Sequence, residues 1–272
     1  MMFRRLLIAA ATLLATTPAA AVADGLSFNA TLGSIRLEGK PGDVFTRQFQ
    51  LTLGPDQPRA SFKAHFEDWW RSEDGRQSIY AAPGTLRRSC ATWTTVNPVE
   101  STVAASETLV VRFTVAIPTE VAPGGFWCAL TLDQLPDPVS APAGVGVQFV
   151  ASVSTAVFID VGPIDRDAIV TALSVEGEHV SIRVRNTGNT PVPVEGRVEF
   201  IQPGTSAPRA VLSIPRGTLL TEPSREAAFG GPLPSAEALP SGRYTVRALL
   251  DIETDHYLGA EQEVVLVRNG AN

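Results

Sequence analysis

The sequence has little of the chemistry on which most enzymes depend. Among its 272 residues are only two cysteines and three histidines, and His65, His179 and His256 lie far apart. We find no G-x-S-x-G nucleophile motif, no H-E-x-x-H zinc motif, no phosphate-binding loop and no dinucleotide-binding glycine pattern. Basic runs with interleaved aromatic residues, which nucleic-acid-binding surfaces need, are missing as well. These absences predict a protein that is not an enzyme, needs no cofactor and does not bind nucleic acid.

Three acidic residues, Asp251, Glu253 and Asp255, alternate near the end of the chain. Their oxygens are the ligands that a calcium ion prefers, but the glycine of a calcium-binding loop is missing. Alternation along one strand explains their spacing more simply. We therefore predict no metal site.

The first 23 residues have the layout of a secretory signal peptide. Arg4 and Arg5 precede an apolar run over residues 6–15, and the small residues 21–23, Ala-Val-Ala, form a cleavage site before Asp24. The run is shorter than the roughly 18–20 apolar residues that a membrane anchor needs. We expect an exported protein, periplasmic or secreted, that is not inserted in a membrane after cleavage.

Cleavage would leave 249 of the 272 residues, enough for about two domains of roughly 100–150 residues each. Because the signal carries two of the 22 basic residues, 20 would remain against 28 acidic residues, a formal charge of −8. An acidic surface of this kind favours solubility.

Cys90 and Cys128 form an even pair, which in an oxidising compartment indicates one disulfide bond. A bond across this separation of 38 residues would stabilise the fold by about 3–4 kcal/mol through the entropy of the unfolded chain. A metal site would need two further ligands, and a nucleophile would need a recognisable motif. We therefore predict the disulfide.

Apolar and polar residues alternate with a period of two, which predicts β-strands with one buried face. The pattern is clearest in residues 45–53, 62–66, 109–117 and 126–132. Many of the 21 prolines and 22 glycines lie in short polar connectors that are typical of turns. No convincing helical stripe follows the signal. The sequence therefore predicts an all-β chain built as sandwiches.

A domain boundary is predicted at residues 162–165, where a long apolar run over 145–161 stops and a new pattern begins. A weak internal echo supports two similar units, since PGGFWCALTL at 123–132 resembles PSGRYTVRALL at 240–250. Each places a turn before an aromatic residue, as at the entrance to a late, central strand. The predicted domains are residues 24–163 and 164–272.

The alternation that ends at residue 184 resumes after the segment Asn-Thr-Gly-Asn-Thr-Pro, residues 186–191. Asn and Gly tolerate left-handed backbone, and Asn side chains hydrogen-bond their own loop, so these residues predict a hairpin or a sheet-to-sheet connection. An Asn-rich ligand loop is the alternative. A separate alternative concerns Trp69, Trp70 and Trp93, which would stack on sugar rings if they were exposed but would otherwise pack in or over the core.

Three stretches resemble an immunoglobulin-like domain of bacterial surface and pilus-assembly proteins. They read GSIRLEGKPGDVFTRQFQLTL, DWWRSEDGRQSIYAAPG and ETLVVRFTVAIPTEVAPGGFWCALTL. Over residues 30–163 the chain is similar to periplasmic pilus chaperones and to the cell-surface domains that partner WxL-type wall proteins. The second half, with VSIRVRNTGNTPVPVEGRVEF, resembles immunoglobulin-like accessory domains. The resemblance implies two tandem immunoglobulin-like β-sandwiches.

In the chaperone family, a long last strand of the first domain is offered to an incomplete pilin. VGVQFVASVSTAVFIDVGP at 145–163 resembles that strand, which implies a partner-binding face made of Val147, Phe149, Ala151 and Val153. The family also clamps its client's terminal carboxylate with two basic residues. Arg36 matches the early one, but residues 145–165 contain no Lys or Arg, so the second is missing.

Three hypotheses follow from these observations. The first is a non-enzymatic, chaperone-like protein that offers strand edges and an interdomain cleft to a pilin-like or surface-structure subunit. The second is a cell-wall or carbohydrate-binding module that uses the three tryptophans. The third is an accessory domain pair detached from an enzyme. The sequence leaves the oligomeric state open.

Overall fold

The computed structural model describes residues 28–30, 33–56, 59–72, 75, 77–136 and 150–268. The predicted signal peptide lies outside these ranges, and so do Val147 and Phe149. The first ten strands are β1 (Phe28–Ala30), β2 (Ile35–Gly39), β3 (Val44–Leu53), β4 (Arg59–Arg71), β5 (Ser78–Ala81), β6 (Thr94–Asn97), β7 (Glu100–Ala104), β8 (Thr108–Ala116), β9 (Gly124–Leu135) and β10 (Ser152–Val161), with a turn of 3-10 helix at Ala91–Trp93.

The remaining strands are β11 (Ala168–Glu176), β12 (His179–Asn186), β13 (Val192–Ile201), β14 (Pro208–Leu219), β15 (Glu226–Pro232), β16 (Gly242–Asp251) and β17 (Tyr257–Leu266). The chain is all-β, as predicted, and folds as two immunoglobulin-like sandwiches. Strands β1 to β10 form the first sandwich and β11 to β17 the second. In the described part of the chain, no helix is long and apolar enough to cross a membrane.

The first sandwich packs a sheet of order β1-β3-β8-β6 against a sheet of order β2-β10-β9-β4-β5, with β7 paired to β4. The predicted alternation is confirmed in β3, where Phe49, Leu51 and Leu53 are buried while the residues between them are exposed or half-buried. The same holds for β4 and β8, whose inward rings Phe66 and Phe113 meet edge to face with centroids 5.5 Å apart.

Strand β9 differs from the prediction, which gave it one buried face. Residues 124–132 are all buried, so the expectation of a half-exposed strand is wrong here. The inward face contains Cys128 and Leu130 and belongs to the core of the first sandwich. The outward face carries Trp127, which packs in a second cluster with Leu220 of the second sandwich. The outer face is buried because side chains of the first sandwich, among them Leu86 and Phe158, cover it together with Leu220 of the second.

The second sandwich packs a sheet of order β11-β12-β15 against a sheet of order β14-β13-β16-β17. Its core contains the inward residues predicted on both sides of the 186–191 segment, namely Val180, Ile182, Val184, Val194, Val198 and Phe200. That segment joins β12 in one sheet to β13 in the other, so the predicted sheet-to-sheet connection is confirmed. The two similar segments, 123–132 and 240–250, also lie on central strands, because β9 and β16 each have a partner on both sides.

Candidate partner-binding strand and interdomain joint

Strand β10 is paired along its whole length on one side and along half its length on the other. Strand β9 runs antiparallel to all of it, whereas β2 runs parallel only to residues 157–161. Residues 152–156 therefore have no strand partner on the β2 side within the described ranges. The Thr155 hydroxyl donates a hydrogen bond of 2.6 Å to the carbonyl oxygen of Gly33, in the chain before β2.

The four residues predicted for the partner-binding face lie on both sides of residue 150, where the described segment that contains β10 begins. Of the four, Ala151 and Val153 are described. Val153 is buried and packs in the core of the first sandwich. Ala151 is half-buried, and its N–H donates to Oε1 of Gln134 over 3.0 Å. Val150, beside them in sequence, is 56% exposed and outside the strand.

The outward face of β4, β9 and β10 is polar next to the open half of β10. Asp133 accepts a hydrogen bond of 2.6 Å from the Ser152 hydroxyl and lies 2.8 Å from Nε2 of His65. Burial raises the pKa of Asp133, but the hydrogen bonds to Ser152 and His65 outweigh it, so the pKa lies below its ordinary value. Two residues earlier on β9, the Thr131 hydroxyl forms hydrogen bonds with Glu67 on β4 and Ser154 on β10.

Arg36, the predicted clamp residue, is engaged by the protein itself. Its Nη1 lies 2.8 Å from Oδ2 of Asp160, and its Nη2 donates to the carbonyl oxygen of Pro191 over 3.1 Å. The guanidinium also lies 5.1 Å from the ring centroid of Phe158. Arg36 therefore ties the first sandwich to the second.

Asp160 is the centre of this joint. Its side chain is 1% exposed, and besides Arg36 it binds Nη2 of Arg166 at 2.5 Å. The Thr190 hydroxyl donates to its other oxygen over 2.5 Å. Sequence reasoning missed Asp160, Arg166 and Thr190 as a group. The one visible signal was an acidic residue inside the apolar run 145–161, since a buried carboxylate needs charged or hydrogen-bonding partners.

The 186–191 segment is the surface on which the first sandwich rests. The carbonyl oxygen of Asn189 accepts a hydrogen bond of 2.9 Å from the N–H of Gly125, and its side chain binds the connector at Pro163 and Asp165. A Cβ on Gly125 would lie 2.5 Å from Cδ of Pro191. The glycine is therefore needed so that the two backbones can approach closely. Asn189 and Thr190 of this loop serve the joint, whereas Asn186 and Thr187 bond within the second sandwich.

A second contact between the sandwiches depends on the segment before Cys90. Glu222 of the second sandwich accepts a hydrogen bond of 2.5 Å from the N–H of Arg88. The disulfide between Cys90 and Cys128, with Cα atoms 5.3 Å apart, attaches this segment to β9. Buried Asp68, on β4, also fixes the segment before Cys90, because its carboxylate accepts a hydrogen bond of 2.7 Å from the N–H of Leu86.

The three tryptophans pack in or over the core. Trp69 is 8% exposed, and its Nε1 donates to the carbonyl oxygen of Cys128 over 3.2 Å. Trp93 is half-buried, with its ring centroid 4.4 Å from that of Phe126, and Trp70 is half-buried as well. Sugar stacking needs an open ring face. Trp69 is buried, so its placement gives the carbohydrate-binding alternative no support.

The acidic residues near the end of the chain take part in ordinary polar contacts. Asp251 accepts the N–H of Glu253 over 2.7 Å, and Glu253 pairs with Arg216 at 2.5 Å. Across the described residues, no group of three or more His, Cys, Asp or Glu side chains is placed to hold a metal ion.

No family model matches the chain, and no curated protein matches it. Among solved structures, it is similar to the class 5 fimbriae chaperone CfaA, with 11% identity and a TM-score of 0.46 over 89% of this chain and 100% of that one. It is also similar to the Pseudomonas aeruginosa CupB2 chaperone, with 14% identity and a TM-score of 0.45 over 88% and 100%. For the E. coli chaperone DraB the values are 12% and 0.41 over 89% and 99%.

Proposed function

We propose that this is an exported, non-enzymatic, chaperone-like protein that holds an extended segment of a partner against the open half of β10. The partner would be a pilin-like or other surface-structure subunit, and the protein would assist its assembly. In this account residues 24–163 carry the partner-binding strand and residues 164–272 form the second domain. The observation that carries the proposal is that, among the strands of the described ranges, none pairs with residues 152–156 on the β2 side.

A strand with one open side exposes backbone N–H and C=O groups that can pair with another chain. A partner segment that continues the line of β2 would satisfy these groups by strand addition. Specificity would come from the side chains of alternate residues, which share one face of a strand. We assign this face to Val147, Phe149 and Ala151. The fourth predicted residue, Val153, packs in the core of the first sandwich and is not available to a partner.

The joint supports this function by holding the second sandwich in a fixed position beside the sheet that contains β10. Arg36 and Asp160 belong to the joint, and Arg36 is therefore not free to clamp a partner's carboxylate. In the proposed complex, affinity comes from the strand edge and its apolar face. Fixing the domains before binding lowers the entropic cost of forming the complex.

The test compares two neighbouring substitutions, Phe149→Asp and Val150→Asp, in the tagged full-length protein purified from the periplasm. We expect Phe149→Asp to lose a co-purifying surface-structure subunit, identified by mass spectrometry, because it places a charge on the apolar face. Val150→Asp, at an exposed neighbouring position, should retain the subunit. Thermal unfolding of both variants controls for folding. Equal recovery of the subunit with both variants would disprove the proposal.

A further inference from the structure

A continuous groove runs from the space between the two sandwiches into the second one. It consists of two cavities of about 340 and 570 Å³ that share Arg71, Arg216, Gly217 and Thr218. The smaller one lies over the outward face of β4, β9 and β10, where Trp69 lines it. The larger one lies between β14 and β15. We call the two together the Arg71 groove.

The larger cavity is bordered by two strand edges. Within the described ranges β14 pairs with β13 alone and β15 with β12 alone, so both present an unpaired edge. Buried Ile214 from β14 and half-buried Phe229 from β15 line the space between them. An extended peptide finds here both backbone hydrogen-bonding groups and an apolar slot.

With His179 counted as neutral, the acidic and basic residues that line the groove in the described part of the chain are two arginines, Arg71 and Arg216. The whole chain has a formal charge of −6, yet no Asp or Glu is among the described residues that line either cavity. Arg216 is held by Glu195 at 3.3 Å and Glu253 at 2.5 Å. Arg71 is exposed, and its guanidinium forms no hydrogen bond or ion pair with any described residue. Of the two arginines that line the groove, Arg71 is therefore the one that no described carboxylate engages.

We propose that the Arg71 groove binds an extended segment of a partner protein in which acidic and apolar side chains alternate. An acidic side chain pairs with Arg71, and an apolar side chain enters the slot between Ile214 and Phe229. The cavities extend to both sides of the shared arginines, so the bound chain passes through and contributes a side-chain carboxylate. This goes beyond the proposed function, because the groove touches β10 on its outward face, where Ser154 and Ala156 line it, and uses neither the open edge of β10 nor its apolar face.

The test uses a fluorescent peptide in which Glu alternates with Val, acetylated and amidated at its ends, with fluorescence anisotropy as the readout. Because a charge-assisted hydrogen bond is lost, Arg71→Gln should weaken binding about tenfold. Arg112→Gln, which changes another exposed arginine on β8, should leave binding unchanged. A peptide with Gln in place of Glu should bind about tenfold more weakly to the unmodified protein and lose little more in Arg71→Gln.

A second pair of variants tests the slot. A Cβ on Gly231, which lines the larger cavity, meets only Cδ1 of Leu212, at 4.0 Å, so the backbone there has room for a side chain, and Gly231→Val adds apolar atoms to the wall of the cavity. We expect it to weaken peptide binding about tenfold. Gly259→Val on β17, where a Cβ meets nothing within 4 Å, is the matched control and should bind normally.

Three results would overturn the inference: no measurable binding of the Glu-Val peptide, binding that is unchanged in both Arg71→Gln and Gly231→Val, or binding that requires a free C-terminal carboxylate. Failure of the proposed function is distinguishable from these. Phe149→Asp should leave peptide binding in the groove intact, whereas Arg71→Gln should leave capture on β10 intact.

Discussion

The joint between the sandwiches gives the most demanding quantitative prediction, the effect of Asp160→Asn. The carboxylate is buried and binds two guanidinium groups and a hydroxyl. Removing one partner of a fully buried ion pair costs about 3–5 kcal/mol, because the remaining charge is left uncompensated. The side chains of Arg36 and Arg166 are 29% and 30% exposed, so water partly replaces the lost carboxylate. We therefore expect the free energy of unfolding to fall by about 3 kcal/mol.

Urea unfolding followed by tryptophan fluorescence measures this change. The midpoint should move to lower urea with little change in the m-value. Asp56→Asn is the control, because Asp56 is exposed and accepts no hydrogen bond from any described residue. In the Asp160→Asn background, Arg36→Gln should cost much less than it does alone, since its partner is already changed. Equal unfolding free energies for Asp160→Asn and Asp56→Asn, or full additivity with Arg36→Gln, would refute this account of the joint.

Three further predictions concern β9 and the segment that the disulfide attaches to it. Gly125→Ala should lower the free energy of unfolding by about 2–3 kcal/mol because its methyl group collides with the docking loop, whereas Gly259→Ala should change it little in the same urea titration. Changing Cys90 and Cys128 together to alanine should cost about 3–4 kcal/mol, and reductant should then have no further effect on unfolding. Because the pKa of Asp133 is lowered in the folded state, its stabilising contribution is present above pH 3.8 and is lost as the pH falls below that value. The difference in stability between the unmodified protein and Asp133→Asn, measured by thermal unfolding, should therefore vanish at low pH. A difference that grows as the pH falls would contradict this.

The first sandwich shows which features a period of two can predict. The alternation around Phe49 and Leu51 fixes which face of β3 is inward, because a strand points successive side chains to opposite sides. The pairing of Cys90 with Cys128 followed from parity and compartment. Each of these rests on local pattern or on composition, which the sequence carries directly.

The joint could not be predicted in the same way. Alternation predicts an exposed position for Trp127, but it is buried in a cluster to which Leu86 and Phe158 of the first sandwich and Leu220 of the second contribute. Asp160 acquires its partners from three separate segments, those of Arg36, Arg166 and Thr190. Such a set is created by the docking of two domains, and no spacing in the sequence records it.

The resemblance to chaperones implied that Arg36 clamps a partner's carboxylate, whereas in the structure Arg36 binds groups of the protein itself. A guanidinium that already binds a buried carboxylate and a carbonyl oxygen has few donors left for a partner. The sequence did reveal that residues 145–165 lack a second basic residue. That absence agrees with an Arg36 that acts inside the protein.

The central claim, that residues 152–156 present an open strand edge to a partner, can be tested most directly by hydrogen–deuterium exchange. In the free protein the backbone amides of 152–156 should exchange faster than those of 157–161, which lie between two strands. In the purified complex with the co-purifying subunit, the amides of 152–156 should become protected. Equal protection of both segments in the free protein, or no gain at 152–156 in the complex, would contradict the account.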